Sequence, residues 1–401
     1  MSHMILSQRQ LFLNHIAQTS DFPLMLEIDR AEGVYMYRED GQRYLDLISG
    51  IGVSNVGHRH PKVVQAVKDQ VDRYMHLMVY GEFVQTPQVR LAEALAQTLP
   101  DPLNACYFVN SGSEAVEGAL KLAKRYTGRP NLVSCHQAYH GSSQGSLSVC
   151  GSEDFKRAYR PLLPGVSHMR FNQPEDFSAI DEQTAAVIIE TVQGEAGVRV
   201  VDVDYFQALR QHCDAVGALL ILDEIQAGLG RTGTFWAFEP DGIVPDIIVS
   251  AKGMGGGMPI GAFMASQEVM GVLKSNPILG HISTFGGHPV SAVASLATLR
   301  VIQEEKLLEQ VPAKAELVKA RLQHPAIRGI RHRGLMMAVE FDSFEVLKPV
   351  IDRAIELGVL TDWFLYCDNS MRIAPPLTIR EDELEEACAI ILQAIEEVVL
   401  I

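Results

Sequence analysis

Short apolar runs and helical stripes alternate through most of the chain. Runs at Ala105–Val109, Asn131–Cys135, Ala186–Glu190, Ala218–Asp223, Asp246–Ser250 and Gly261–Ala265 are mostly continuous and are bounded by Gly, Pro or Asp, as strands buried on both faces require. Val116, Ala119, Leu120 and Ala123 recur at helical spacing. Val64, Val67, Val71, Tyr74, Met75 and Met78 do the same after Pro61, a residue suited to a first helical turn. The alternation predicts an α/β fold on a mostly parallel sheet with helices on both faces.

After Pro289 the texture changes. Two long helical patterns precede β-like stretches near Gly329–Phe341, a helix near Phe344–Gly358 and a last helix from Glu381, where Leu384, Ala387, Cys388, Ile391, Leu392, Ile395 and Val398 make one stripe. This predicts a second, smaller α+β domain. The expected division is 1–45, packing with the small domain; 46–288, the large domain; and 289–401, the small domain.

The 401 residues agree with two or three domains at ~150 residues each. Lys+Arg 34 against Asp+Glu 49 gives a net charge of -15, and no segment concentrates basic residues, so nucleic acid is not an expected partner. No apolar run approaches the ~18 residues needed to cross a bilayer, so a membrane is not expected either. Six scattered cysteines without a CxxC suggest a reducing compartment, read as cytoplasm. No signal peptide is visible, and Met1-Ser2-His3 before Met4 reads as a tag remnant.

Candidate chemistry changes the picture most at Asp246-Ile-Ile-Val-Ser-Ala-Lys252-Gly-Met-Gly-Gly-Gly, where an apolar strand delivers one lysine into a Gly-rich loop. Desolvation or a nearby cation would free the neutral amine for Schiff-base chemistry; a surface lysine in a flexible turn is the plain alternative. At Leu219-Leu-Ile-Leu-Asp223-Glu-Ile-Gln226 a strand ends in two acids at the edge where open α/β sheets bind ligands. Adjacent strand residues face opposite ways, so Asp223 and Glu224 would not share a substrate. One buried Asp suits a pyridine nitrogen; an acid capping the next turn is the alternative. Ser111-Gly112-Ser113-Glu114 leads into a helix, where free N–H groups hold a phosphate or Ser111 simply caps.

Three lookalikes carry less. Gly228-Leu-Gly-Arg-Thr-Gly233 matches GxGxxG, but no helical pattern follows. Gly141-Ser-Ser143-Gln-Gly145 matches a serine-hydrolase elbow, yet no clear strand precedes it and only a weakly patterned stretch follows. His136 and His140 have zinc-helix spacing, but Gln137 replaces the base and Gly141 ends any helix, so no metal is expected. His58 and His60, beside Pro61, read as a helix entry.

Taken together, the phosphate-type helix start, the acid and the lysine, in that order, resemble the pyridoxal-phosphate enzymes of fold type I, and within them the class III or ω-aminotransferases. The resemblance runs through Gly57-His-Arg-His-Pro61, Ser111–Ala115, Tyr139-His-Gly141, Glu190–Gly197, Asp223–Gly233, Ser250–Gly253, Thr284-Phe-Gly-Gly287 and Arg372–Leu377. It implies a large domain with a seven-stranded-type sheet and pyridoxal 5'-phosphate as cofactor. Lys252 would carry that cofactor and move the reaction's proton, and Asp223 would bind the pyridinium nitrogen. Tyr139 and Ile225 would pack its faces, Gln226 would contact its phenolic oxygen, and Gly112 and Ser113, with Ser111, would cradle its phosphate. His140 and Glu190 also fall among the cofactor-binding positions. Thr284 would complete the phosphate site from a neighbouring subunit, with Ser283 facing substrate, which implies a homodimer with shared sites.

The resemblance also implies that Arg372 binds the carboxylate of a keto acid such as 2-oxoglutarate, and that Glu195 pairs it off in ornithine-type enzymes. Two positions depart from the pattern. Ser142 stands where many ornithine, acetylornithine and 4-aminobutyrate enzymes have an arginine for the distal carboxylate, and His288 replaces a more usual Asn. The implied activity is transfer of a terminal amino group from an ornithine- or acetylornithine-like donor to an α-keto acid. The alternatives are a donor lacking a distal carboxylate, a racemase of the same class, and a hydrolase acting through Ser143.

Overall fold

In the computed structural model, which describes residues 7–399, the apolar runs form one seven-stranded sheet. Its order is Ala105–Val109, Gly261–Ala265, Ile247–Ser250, Leu219–Asp223, Thr184–Glu190, Asn131–Cys135 and Val166–Met169. Only Gly261–Ala265 runs antiparallel to its neighbours. The α/β expectation therefore holds, and Met1–His3, read above as a tag remnant, lie outside the described residues. Asp246 sits just before its strand because its carboxylate accepts the Leu220 N–H and an Arg210 N–H, at 2.7 and 2.8 Å.

The carboxyl ends of the six mutually parallel strands lie at one edge. Asp223 pairs directly with Glu190 and Val249, and Gly261 opposite Val109 brings the end of Ala105–Val109 to the same side. The helix Gly112–Thr127 starts there. Ser111 Oγ accepts the Glu114 N–H at 3.2 Å, Gly128 ends the helix in the left-handed region, and Val116, Ala119, Leu120 and Ala123 are buried.

The helix after Pro61 departs from its expected stripe. It ends at Arg73, where Gln70 Nε2 donates to the Tyr74 carbonyl at 2.9 Å, and its buried positions are Val63 and Gln70. Val71 and Met75 instead point out, 43% and 61% exposed. Their apolar spacing describes an outer surface and not the core of this chain.

The C-terminal region holds a four-stranded antiparallel sheet, Gly329–Arg333, Met336–Glu340, Cys367–Ile373 and Asp362–Phe364 in spatial order. The helix Glu381–Val398 buries Leu384, Ala387, Cys388, Ile391 and Ile395. A further sheet joins the two ends of the chain: strands Arg30–Glu32, Tyr35–Tyr37 and Arg43–Asp46 follow one another, and the last pairs in parallel with Val359–Leu360. Among the described residues no helix is long and apolar enough to cross a membrane, and the six cysteines are unpaired.

Candidate active site

At the shared strand edge lies a cleft of about 430 Å³. Ser111, Gly112, Ser113, Tyr139, His140, Glu190, Glu195, Asp223, Ile225, Gln226 and Lys252 all line it. Residues from five separate strand ends are thus brought together, as an open α/β sheet allows.

Lys252 leaves the strand Ile247–Ser250 in a left-handed conformation, φ 45°, that turns it into the cleft. Burial pushes its amine below the ordinary lysine value; Glu195 opposes the shift and the Arg372 charge adds to it. A lysine so placed reaches the neutral, nucleophilic form more readily than a surface one. Asp223 is buried and fixed from two directions: His140 Nδ1 lies 2.7 Å from Oδ2, and Ile225 N–H donates to Oδ1 at 3.0 Å. His140 is itself backed by Ser134 Oγ at 3.3 Å. It therefore stands behind the carboxylate as its orienting partner.

The helix start is shaped for a close ligand. A Cβ on Gly112 would meet Ile225 Cδ1 at 2.9 Å, and Gly141, at φ 127°, lies where a Cβ would strike Ser113 Oγ at 2.2 Å. Small residues keep the N–H groups of this turn accessible beside the helix dipole. Glu190 braces two loops of the wall, accepting the Tyr139 N–H at 2.9 Å and the Gly194 N–H at 3.0 Å. Burial pushes its carboxyl up to about 7 against the pull of His140.

Glu195 and Arg372 form a two-pronged pair, both contacts 3.0 Å. Burial would raise Glu195, but Arg372 outweighs it and holds the carboxyl at about 2. Gln226 Nε2 and the Leu365 N–H also donate to Glu195, at 3.2 and 3.1 Å. Arg372 does not itself line the cleft; it is reached through Glu195.

Besides Arg372, three expected positions lie apart from the cleft lining. Ser142 is exposed, its N–H donating to Ser113 Oγ and its hydroxyl 3.3 Å from that of Tyr139. Ser283 Oγ accepts from Asn110 Nδ2 at 3.0 Å. Thr284 is exposed on the outer surface, with its carbonyl 2.9 Å from His76 Nε2. His288 Nδ1 caps the helix Pro289–Glu304 by accepting the Val290 N–H at 3.3 Å; asparagine caps as well, so nothing in the structure explains the histidine.

The lookalikes resolve into structure. A helix, Gln144–Val149, does follow Ser143, contrary to the weak pattern, because the Glu117 carboxylate accepts the Gly145 and Ser146 N–H groups at its start. Ser143 Oγ donates to the same carboxylate at 2.6 Å, and the nearby His140 is committed to Asp223. That leaves the hydrolase reading without a base. The GxGxxG segment opens no helix; its Arg231 is buried and donates to Asn55 and to the carbonyls of Leu335 and Pro375. The His136 ring lies tilted against that of His168, centroids 5.7 Å apart.

Asn110, Asp362 and Tyr366 are absent from the sequence-derived set. Asn110 lines the cleft and holds Ser283, Asp362 binds Arg372 Nε at 2.8 Å, and Tyr366 lies 6.5 Å from Tyr139 with Phe155 edge-on at 5.2 Å. Asn110 directly follows the apolar run Ala105–Val109, which is its one signal in the sequence; Asp362 and Tyr366 have none.

A strand-end lysine and acid beside an open helix start are the equipment of an enzyme that handles amines. The chain belongs to the class-III aminotransferases: that family's model matches residues 16–395. It is 40% identical over 386 residues to the acetylornithine aminotransferase of Methanopyrus kandleri, covering 95% of this chain and 96% of the relative. It is also 40% identical to the putrescine aminotransferase of Pectobacterium atrosepticum, covering 89% and 79%. The ornithine aminotransferase of Toxoplasma gondii, whose active site holds PLP at partial occupancy, superposes with TM-score 0.89 at 28% identity, over 96% of this chain and 93% of that one. The fold is thus that of the fold type I transaminases, and the chain is an ω-aminotransferase.

Proposed function

We propose that the cleft holds pyridoxal 5'-phosphate and moves a terminal amino group from an ornithine- or acetylornithine-like donor to an α-keto acid such as 2-oxoglutarate. The observation that carries this is the convergence of the Lys252 amine, the Asp223 carboxylate and the open turn Ser111–Ser113 on one cleft. When bound, the cofactor supplies a carbonyl that accepts the amino group and a ring that withdraws electrons.

The chain's own residues do the rest. Lys252 would anchor the group and, as a free amine, take and return a proton at the donor's nitrogen-bearing carbon. Asp223, kept in place by His140, would hold a proton at the ring nitrogen. Ser111, Gly112 and Ser113 would bind the phosphate, while Tyr139 and Ile225 pack the ring and Gln226 meets its phenolic oxygen. The paired Glu195 and Arg372 present no free cation to a donor that reacts at its far end. Once Glu195 turns away, Arg372 offers two parallel N–H groups to a keto acid's carboxylate.

The second subunit is part of this reading. The segments around 75–89 and 278–285 meet where the His76 and Phe285 rings lie tilted with centroids 4.9 Å apart. They expose Met75, Phe83, Val84, Ile278, Ile282 and Phe285, an apolar face of the kind that marks an interface. Thr284 lies on it. A homodimer with shared sites would cover this face and bring a partner's Thr284 to the phosphate.

Ser142 favours a second reading of the donor. With no guanidinium at this position, a donor without a distal carboxylate, such as a diamine, avoids burying an unpaired charge. The central test is the half-reaction: an amine donor without keto acid should release one equivalent of carbonyl product per site and leave its nitrogen on the enzyme. Racemisation without such release would overturn the proposal.

A further inference from the structure

We infer that Asp362 is a positioning residue for Arg372, holding the guanidinium through Nε so that its outer N–H pair stays aimed into the site when Glu195 is not there to hold it. The inference rests on the reading that Arg372 receives the acceptor's carboxylate.

Asp362 and Arg372 are direct cross-strand partners, so their side chains rise from the same face of one hairpin. Asp362 Oδ1 accepts from Nε at 2.8 Å, while Nη1 and Nη2 each donate to one oxygen of Glu195. Nη2 also reaches the Trp363 carbonyl at 3.2 Å, and the Phe364 ring lies 4.5 Å below the guanidinium carbon. The two carboxylates therefore grip opposite edges of one planar group. Glu195 occupies the two N–H groups that a bidentate ligand would use. Asp362 occupies the one that no such ligand needs.

The origins of the two acids differ in the same sense. Glu195 comes from the loop after Val192–Gln193, so its side chain would leave by giving up Arg372, Gln226 and the Leu365 N–H, with the ladder of the strand that bears Arg372 unaltered. Asp362 belongs to the neighbouring strand of the same hairpin, where Thr361 Oγ1 also donates to the Arg372 carbonyl at 2.6 Å. With Glu195 displaced, a side chain with several rotatable bonds would retain only the Trp363 carbonyl and a ring face. Asp362 adds the directional contact that fixes the plane of the fork. Its charge also balances that of Arg372, so carboxylate recognition depends on aimed N–H groups more than on surplus positive charge.

The test uses the loaded dimeric enzyme and glutarate, an unreactive dicarboxylate, titrated by calorimetry, beside separate KM values for 2-oxoglutarate and the amine donor. Asp362→Ala should weaken glutarate and raise the 2-oxoglutarate KM by about tenfold, with the donor KM moving less than about twofold. Asp362→Asn keeps an oxygen facing Nε and should bind glutarate at least as tightly as wild type. Unchanged or tighter binding by Asp362→Ala, an Asn variant as weak as Ala, or equal rises in both KM values would overturn the inference. Wild-type glutarate affinity in Arg372→Ala would instead overturn the reading beneath it, whatever the Asp362 variants do.

Discussion

The floor of the cleft and its substrate side are held by different means. Asp223 and Lys252 arrive from neighbouring strands of one sheet, and Asp223 is fixed by a histidine and a backbone N–H a few residues away. Glu195 and Arg372 come from separate regions and hold each other by an ion pair. The first arrangement is held by contacts within the buried sheet edge. Under the proposed function, the second consists of contacts that a competing carboxylate would replace, as a site that accepts two unlike substrates in turn requires.

If that contrast is correct, changes to the floor should cost activity with every substrate, and changes to the substrate side should alter ratios. Lys252→Ala should lower turnover by ~10⁴-fold or more with any donor while the folded circular-dichroism spectrum is kept; near-normal turnover would remove the lysine from the centre of the site. Asp223→Asn should lose ~10²–10³-fold in kcat and retain cofactor less well on dialysis, since a neutral amide cannot match the charge that Asp223 provides.

On the substrate side, Ser142→Arg should raise kcat/KM for acetylornithine by ~10-fold or more if the natural donor has no distal carboxylate, as a charge-assisted pair is worth ~1.5–3 kcal/mol. A donor panel on both proteins decides it, and strong wild-type ornithine activity that collapses with the arginine would contradict the carboxylate-free donor. Glu195→Ala should shift the ratio of kcat/KM for donors bearing a carboxylate beside the reacting amine, over terminal amines, upward by about tenfold.

The smallest expected effect is on stability. Burial raises Glu190 and Glu224 from an ordinary 4.5 to about 7. Between those values the unfolded chain has released protons that the folded chain still holds, so stability is greatest below pH 4.5 in this respect and declines as pH rises to 7. Melting curves across that window should fall by a few degrees, and Glu224→Gln should remove part of the slope.

The floor was legible because its residues announce themselves locally. Leu219–Asp223 and Ile247–Ser250 are unbroken apolar runs, and Lys252 and Asp223 each stand within two residues of a run's end. Asp362 left no such mark, because its meaning lies in a partner ten residues on across a hairpin. The helix after Pro61 misled for a related reason: spacing reports that a face is apolar, and Val71 and Met75 show that it does not report whose surface will cover it.

The parallel pairing of Arg43–Asp46 with Val359–Leu360 has a bearing on how the protein is made. At ~5–20 residues per second, a ribosome takes about 15–60 s to deliver the second strand after the first has emerged. For that interval the edge formed by Arg43–Asp46 lacks its mate, and a strand made well before its partner is completed only when that partner arrives. A translation product truncated before Val359 would keep that edge open for good.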